Sequence, residues 1–385
     1  MRDRFLPFSP PFIGEEEIEG VVDSLRSGWI TTGPKTKRFE AEFSAYLGAP
    51  AALAVNSCTA ALHTALVCHG IGPGDEVITT PMTFSATVGV IEHAGATPVL
   101  VDIEPDTMNI SPSAVSEAVT GRTKAIIAVH YGGHPCEMDE LQAICTEHCL
   151  LLVEDAAHAI PAKYKGRLIG SGENPVAFSF YATKNLTTAE GGMLTGSVDL
   201  IEQGVVASLH GMNRDAWKRV DKTGSWRYDI IMPGYKYNMT DIQAAMGLAQ
   251  LAKLDRMLSR RREIVSRYDE GFKPMSAFDL PVEREDCESG WHLYPLRIRD
   301  GALKISRDQF IEELRLRNIG TSVHFIAIHT FSYYREKYGF QPEDFPIANR
   351  ESNRVITIPL HPGLSDRDVD DVIEAVADIV AQHGV

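Results

Sequence analysis

The sequence predicts an α/β fold built on a mostly parallel sheet, followed by a smaller α+β region at the C-terminal end. Short apolar runs mark the first half, at residues 51–55, 77–79, 98–101, 125–129, 150–153, 177–180 and 193–195. Helix-like segments such as 60–68 and 85–93 separate several of them. Wholly apolar strands alternating with helices describe a sheet covered on both faces, and such sheets are largely parallel. From residue 240 to about 268 the pattern changes to one long helix, with Ile242, Ala245, Met246, Leu248, Leu251 and Leu254 as its apolar positions. The Arg260-Arg261-Arg262 run within it reads as a solvated face.

Beyond that helix come strand-like stretches at 293–298, 322–325 and 355–360 and a helix near 307–317. A closing helix from Ser365 to about residue 382 carries Val369, Val372, Ile373, Val376 and Val380 at helical spacing, with Ser365 and Asp368 as its N-terminal cap. The expected division is therefore 1–250 for the N-terminal arm and large domain and 251–385 for the small domain, entered through the long helix.

Composition narrows the function. The chain has 385 residues, 44% hydrophobic, with a formal net charge of −15. An acidic balance disfavours nucleic acid and anionic membrane as partners, since both require a basic patch. No apolar run reaches the length of a membrane span, and the N-terminus, charged and broken by prolines, does not read as a secretory signal, so a cytoplasmic protein is expected. Six cysteines are too few at this length for a disulfide framework. His134, Cys136, Cys145, His148 and Cys149 invite a zinc site, but their spacings match no standard knuckle. Residues 141–149 read instead as a helix with Leu141, Cys145 and Cys149 on one apolar face, and no metal is expected. The phosphate loop of nucleotide hydrolases, the paired-histidine zinc helix and the serine nucleophile elbow are all missing, and 70–74 reads as a turn.

Four features remain that belong at the ligand edge of such a sheet. The first strand runs into Asn56-Ser57-Cys58-Thr59 and a helix, whose N-terminal N–H groups suit either a phosphate or a simple cap. The strand at 150–153 ends in Glu154-Asp155-Ala156-Ala157-His158. The strand at 177–180 leads to Lys184, a candidate Schiff-base nucleophile if burial lowers its pKa. Phe84 follows a strand where a ring could cover a flat cofactor, although alone it would read as core. Together these fit pyridoxal 5'-phosphate, which needs a phosphate cradle, a carbonyl-binding amine, an acid beside its ring nitrogen and a stacking ring.

With these residues assembled, the chain resembles the DegT/StrS-type nucleotide-sugar aminotransferases, a branch of the fold-type I pyridoxal phosphate enzymes. The resemblance runs through Thr31-Thr32-Gly33-Pro34, 56–62, 154–158, 178–185, Glu190-Gly191-Gly192 and 234–241. It implies that Lys184 forms the Schiff base, Asp155 partners the pyridinium nitrogen, and His158 lies near the phenolic oxygen. It also implies phosphate contacts from Cys58, Thr59 and Ser179, ring stacking by Phe84, and a reach by Asn238 to the phosphate of a neighbouring subunit. The site would then be shared within a homodimer. Two positions depart from the family pattern: Lys236 stands where many relatives carry the asparagine, and Ala189 stands where glycine is usual.

The resemblance further implies L-glutamate as amino donor and a nucleotide-linked keto sugar, UDP-linked by preference, as acceptor. Thr31, Thr32, His324 and His329 would border the sugar, and Gly224-Ser225-Trp226-Arg227-Tyr228 is typical of relatives acting at a 4-keto group. Relatives with histidine in place of the lysine are sugar dehydratases, and Lys184 favours transamination. A sugar dehydratase, a keto-cyclitol aminotransferase and a noncatalytic regulator are the competing readings. Fold alone does not fix function, but the intact Asp155–Lys184 pair argues against the last, since a binding module has no need of a buried lysine.

Overall fold

The structure is a computed structural model that describes residues 2–213 and 228–385. The 224–228 segment singled out above lies outside the described residues, apart from Tyr228.

The apolar runs of the first half form one seven-stranded sheet. Its strands are β1 (Ala51–Val55), β2 (Glu76–Thr79), β3 (Thr97–Leu100), β4 (Thr123–Val129), β5 (Leu151–Asp155), β6 (Val176–Ser179) and β7 (Gly192–Gly196). They lie in the order β1-β7-β6-β5-β4-β2-β3. The pairs among β2, β3, β4, β5 and β6 are parallel, whereas β7 runs against both of its neighbours. The expectation of a mostly parallel α/β sheet therefore holds.

Side chains alternate across the sheet, so adjacent residues serve opposite cores. Ile127 packs with Val77, Val153 and Leu66, while its neighbour Ile126 packs with Ile78, Leu152 and Leu141 on the other face. Burying each such side chain contributes about 1.5–3 kcal/mol, which is why these strands carry apolar residues at consecutive positions.

A smaller antiparallel sheet follows: β8 (Phe278–Asp279), β9 (Tyr294–Ile298) and β10 (Val355–Ile358), with β9 in the middle. Helices Leu254–Phe272, Arg307–Leu316 and Asp366–His383 supply Tyr268, Phe310, Val372 and Val376 to its core, and Leu6 of the N-terminal arm joins it. Ser365 and Asp368 form the expected reciprocal cap.

Four expectations are corrected. The helix from residue 240 is two helices, Asp241–Ala252 and Leu254–Phe272, broken at Lys253 (φ −115°, ψ 8°). There the Lys253 ammonium tucks onto the buried Glu17 carboxylate at 2.6 Å. Arg261 is not solvated: it is buried and its guanidinium donates to the carbonyls of Trp291, His292 and Leu360, anchoring the helix to the chain around the small sheet. Cys149 is exposed with φ 54°, just past the helix end, so only Leu141 and Cys145 share the apolar face. Residues 322–325 form no strand; a single bridge joins Ser322 to Thr357.

Candidate active site

The carboxyl edge of the large sheet opens into a cavity of about 460 Å³, a size suited to a small-molecule ligand. Because β7 is reversed, its entry lies beside the exits of its neighbours: Gly192 pairs with Val55 of β1 and with Ser179 of β6. Glu190-Gly191, the Ser57–Thr59 turn and the 179–184 loop thus meet on one edge. The approach is close. A Cβ on Gly192 would overlap the Ser57 backbone and come within 2.6 Å of the Cys58 nitrogen.

The turn after β1 opens the helix Cys58–Cys68, with Ser57 as N-cap accepting from the Ala60 N–H at 3.1 Å. Ala61 N–H bonds the Ser57 carbonyl, which leaves the first-turn N–H groups of Cys58 and Thr59 for an anion at the cavity wall. Both the cap and the anion readings of this motif therefore apply, to different N–H groups. Ser179 lines the same cavity.

Asp155, at the end of β5, is buried and accepts from the Thr87 hydroxyl at 2.8 Å and the Ala157 N–H at 3.1 Å. Its neighbour Glu154 points away and accepts from His130 Nε2 at 3.1 Å, because Cys136 N–H occupies His130 Nδ1. Lys184 is held by a turn in which its N–H bonds the Tyr181 carbonyl. Asn185 fixes the following residue, donating to the carbonyls of Ile160 and Gly290 at 2.8 and 2.6 Å and pairing its oxygen with His292 Nδ1. Burial lowers the Lys184 ammonium to about 8, with the Asp155 carboxylate opposing that fall. Near pH 8 about half of the amine is therefore free to attack a carbonyl.

His158 is pushed well below the ordinary imidazole range by burial, by Lys184 and by His324, and is neutral. Its Nδ1 accepts the Gly132 N–H at 3.3 Å, so its proton sits on Nε2. Cys58 is pushed well up by burial and by Asp155, so it stays a thiol. Its sulfur lies 3.5 Å from the Ala177 carbonyl and 3.8 Å from Asp155 Oδ1. Phe84 is 63% exposed, its ring on the cavity wall, and is no part of the core. From the small sheet's side come His324 and Phe325; His324 bonds the Thr357 hydroxyl through Nδ1 at 3.0 Å and stacks on Phe8 of the N-terminal arm.

The cavity thus gathers Cys58, Thr59, Phe84, Asp155, His158, Ser179, Lys184 and His324. Thr31, Thr32, Asn238 and His329 do not line it. Thr32 donates to the Met239 carbonyl at 2.5 Å and accepts from Asn238 at 2.7 Å, while Lys236 donates to the Asn238 oxygen at 2.5 Å. The Thr31 carbonyl accepts from the Asp241 N–H. His329 is buried against the Phe345 ring. Sequence reasoning missed Thr83, Thr87 and Phe325 on the cavity wall. Among the described residues no group of three or more His, Cys, Asp or Glu side chains converges on a metal-sized site, and no helix is long and apolar enough to cross a membrane.

Free helix-terminal N–H groups, a buried amine of lowered pKa, a buried carboxylate with acceptor capacity to spare and an exposed ring share this cavity. That donor set fits pyridoxal phosphate. A sheet of this topology with such a site defines an α/β aminotransferase. The DegT/DnrJ/EryC1/StrS aminotransferase family model matches residues 11–377, and the chain belongs to that family. It is a pyridoxal phosphate-dependent enzyme. The spore coat polysaccharide biosynthesis protein SpsC of Bacillus subtilis is 51% identical to it, over 98% of each chain. The putative sugar aminotransferase Spr1654 of Streptococcus pneumoniae, solved in its PMP form, is 40% identical with a TM-score of 0.92, covering 98% of this chain and 99% of that one. PseC of Helicobacter pylori, an aminotransferase involved in pseudoaminic acid biosynthesis, is 29% identical with a TM-score of 0.90 over 99% of this chain and 100% of that one.

Proposed function

We propose that this sugar aminotransferase moves an amino group from L-glutamate to the C4 keto group of a nucleotide-linked sugar, UDP-linked by preference. The product would be an amino sugar for a surface polysaccharide. The observation that carries the reading is the pairing of Lys184, lowered to about 8, with the Asp155 carboxylate on one cavity. Bound pyridoxal phosphate would supply the electron sink that makes the proton on the donor's α-carbon removable.

The chain's residues divide the remaining work. Lys184 Nζ takes the α-carbon proton of glutamate and, in the return half, delivers one to the carbon being aminated. Asp155 would hold the proton on the ring nitrogen, and the Nε2–H of His158 would serve the ring hydroxyl. The N–H groups of Cys58 and Thr59 and the Ser179 hydroxyl would bind the phosphate, and the exposed Phe84 ring would stack on the cofactor. His324, on the cavity wall, takes the sugar contact; His329, buried away from it, does not. Thr31, Thr32 and Asn238 lie together outside their own chain's cavity, which supports a role across the interface of a cytoplasmic homodimer. In this reading 1–250 is the cofactor-binding domain and 251–385 the small domain.

The test is to incubate the protein with L-glutamate and a UDP-linked 4-keto sugar, following 2-oxoglutarate and product mass. Gain of an amine is expected. Loss of water would move the reaction to dehydration, and no turnover with glutamate would remove it as donor.

A further inference from the structure

Asp155 does not stand alone at the end of β5. Thr87 lies in the first turn of the helix Ser85–His93, is 1% exposed, and places its hydroxyl 2.8 Å from Asp155 Oδ2. Behind it the Thr83 hydroxyl lies 2.7 Å from the Thr87 oxygen. An ionised carboxylate only accepts, so Thr87 donates to Asp155, and its own oxygen must accept from Thr83. The two hydroxyls therefore form a directed chain, Thr83 to Thr87 to Asp155, and both line the cavity. The other carboxylate oxygen takes the Ala157 N–H at 3.1 Å and a weaker share of the Cys58 thiol, whose single hydrogen lies nearer the Ala177 carbonyl. Two carboxylate oxygens offer about four acceptor directions, so one remains for a ring N–H.

We infer that Thr87, backed by Thr83, is a positioning residue that aims the Asp155 carboxylate into the cavity. The inference rests on the reading of Asp155 as the partner of the cofactor's ring nitrogen. Hydrogen bonds to an ionised group are stronger than neutral ones, and in a buried site the chain of hydroxyls reinforces the last of them. The helix geometry supplies the aim: Thr87 N–H bonds the Phe84 carbonyl, so the turn that presents the Phe84 ring also fixes the hydroxyl.

The experiment compares Thr87→Val, Thr87→Ser and Thr83→Val in the full chain. It uses fluorescence quenching to measure the pyridoxal phosphate dissociation constant and visible absorbance to follow the spectrum of the bound cofactor. Thr87→Val, nearly isosteric, should weaken cofactor binding roughly tenfold and change the spectrum of what remains bound. Thr87→Ser should restore both, and Thr83→Val should shift both less in the same direction. A Thr87→Val protein that binds and absorbs as the parent does would overturn the inference. Asp155→Asn separates the two levels: if it loses cofactor affinity while Thr87→Val changes nothing, only this inference falls, and if it binds unchanged, the reading beneath falls too.

Discussion

Asp155 and Asp241 are both buried aspartates in segments recognised from the sequence, and their surroundings separate chemistry from scaffolding. Asp241 accepts from the N–H groups of Gly33, Lys35 and Thr36 at 2.7, 3.0 and 2.9 Å and from the Thr36 hydroxyl at 2.7 Å. It caps the helix Pro34–Leu47 and its acceptor directions are filled. Asp155 has one strong hydroxyl donor, one N–H and a shared thiol, and it borders a cavity. A saturated carboxylate stabilises the fold, whereas a buried one with capacity left over on a cavity is prepared for a ligand.

That contrast predicts opposite phenotypes. Lys184→Ala, on the chemical side, should lower transamination about a thousandfold or more, measured as 2-oxoglutarate release. Asp155→Ala should lose pyridoxal phosphate affinity and activity with only a modest change in urea midpoint. Asp241→Ala should cost about 2–3 kcal/mol of folding stability, since it strands several buried N–H groups, while a protein that still folds keeps its cofactor affinity. If the two alanine variants behave alike, the distinction fails. Gly192→Ala should come next, weakening cofactor binding roughly tenfold by pressing a methyl into the Ser57–Cys58 turn.

The Asp155–Lys184 pair and the glycine-rich entry to β7 were legible because each depends on a few residue types at a sheet edge. The capping role of Asp241 was not: a motif match cannot show which carboxylate meets a helix terminus more than 200 residues away. Thr87 was hidden for the same reason, since its partner lies 68 residues along the chain. Arg261 was misread because its partners are three backbone carbonyls, which side-chain patterning cannot show. The break at Lys253 escaped because both halves share apolar spacing, and only the partner Glu17 discloses it.

The buried imidazoles give a pH test across the two halves of the molecule. Burial and Lys184 lower His324, on the cavity, from 6.5 to about 3; burial and Arg261 lower His361, beside the small sheet, to about 4. Below 6.5 the unfolded chain binds more protons at these positions than the folded one. Their contribution is therefore complete above pH 6.5 and is lost as pH falls towards 3. A series of urea titrations should show this acid limb, and His324→Asn should make it shallower; an unchanged slope would mean that His324 protonates without cost. The smallest effect is expected at Ala189, which holds φ +67°, a conformation that glycine adopts without strain. Ala189→Gly should raise stability by about 0.5–1 kcal/mol, and a destabilised variant would show that the loop does not feel this strain.

The reversal of β7 has a practical consequence for engineering. It brings a seventh strand's entry to the chemical rim and sends that strand's exit, at Gly196-Ser197, to the opposite rim, where the parallel strands begin. The opposite rim includes the exposed turns at Gly121 and Gly172, where a Cβ would meet nothing within 4 Å. Fluorophores, affinity handles or inserted peptides placed there would be separated from the reacting atoms by the full length of the strands, so the protein can be tethered or labelled from beneath without touching its chemistry.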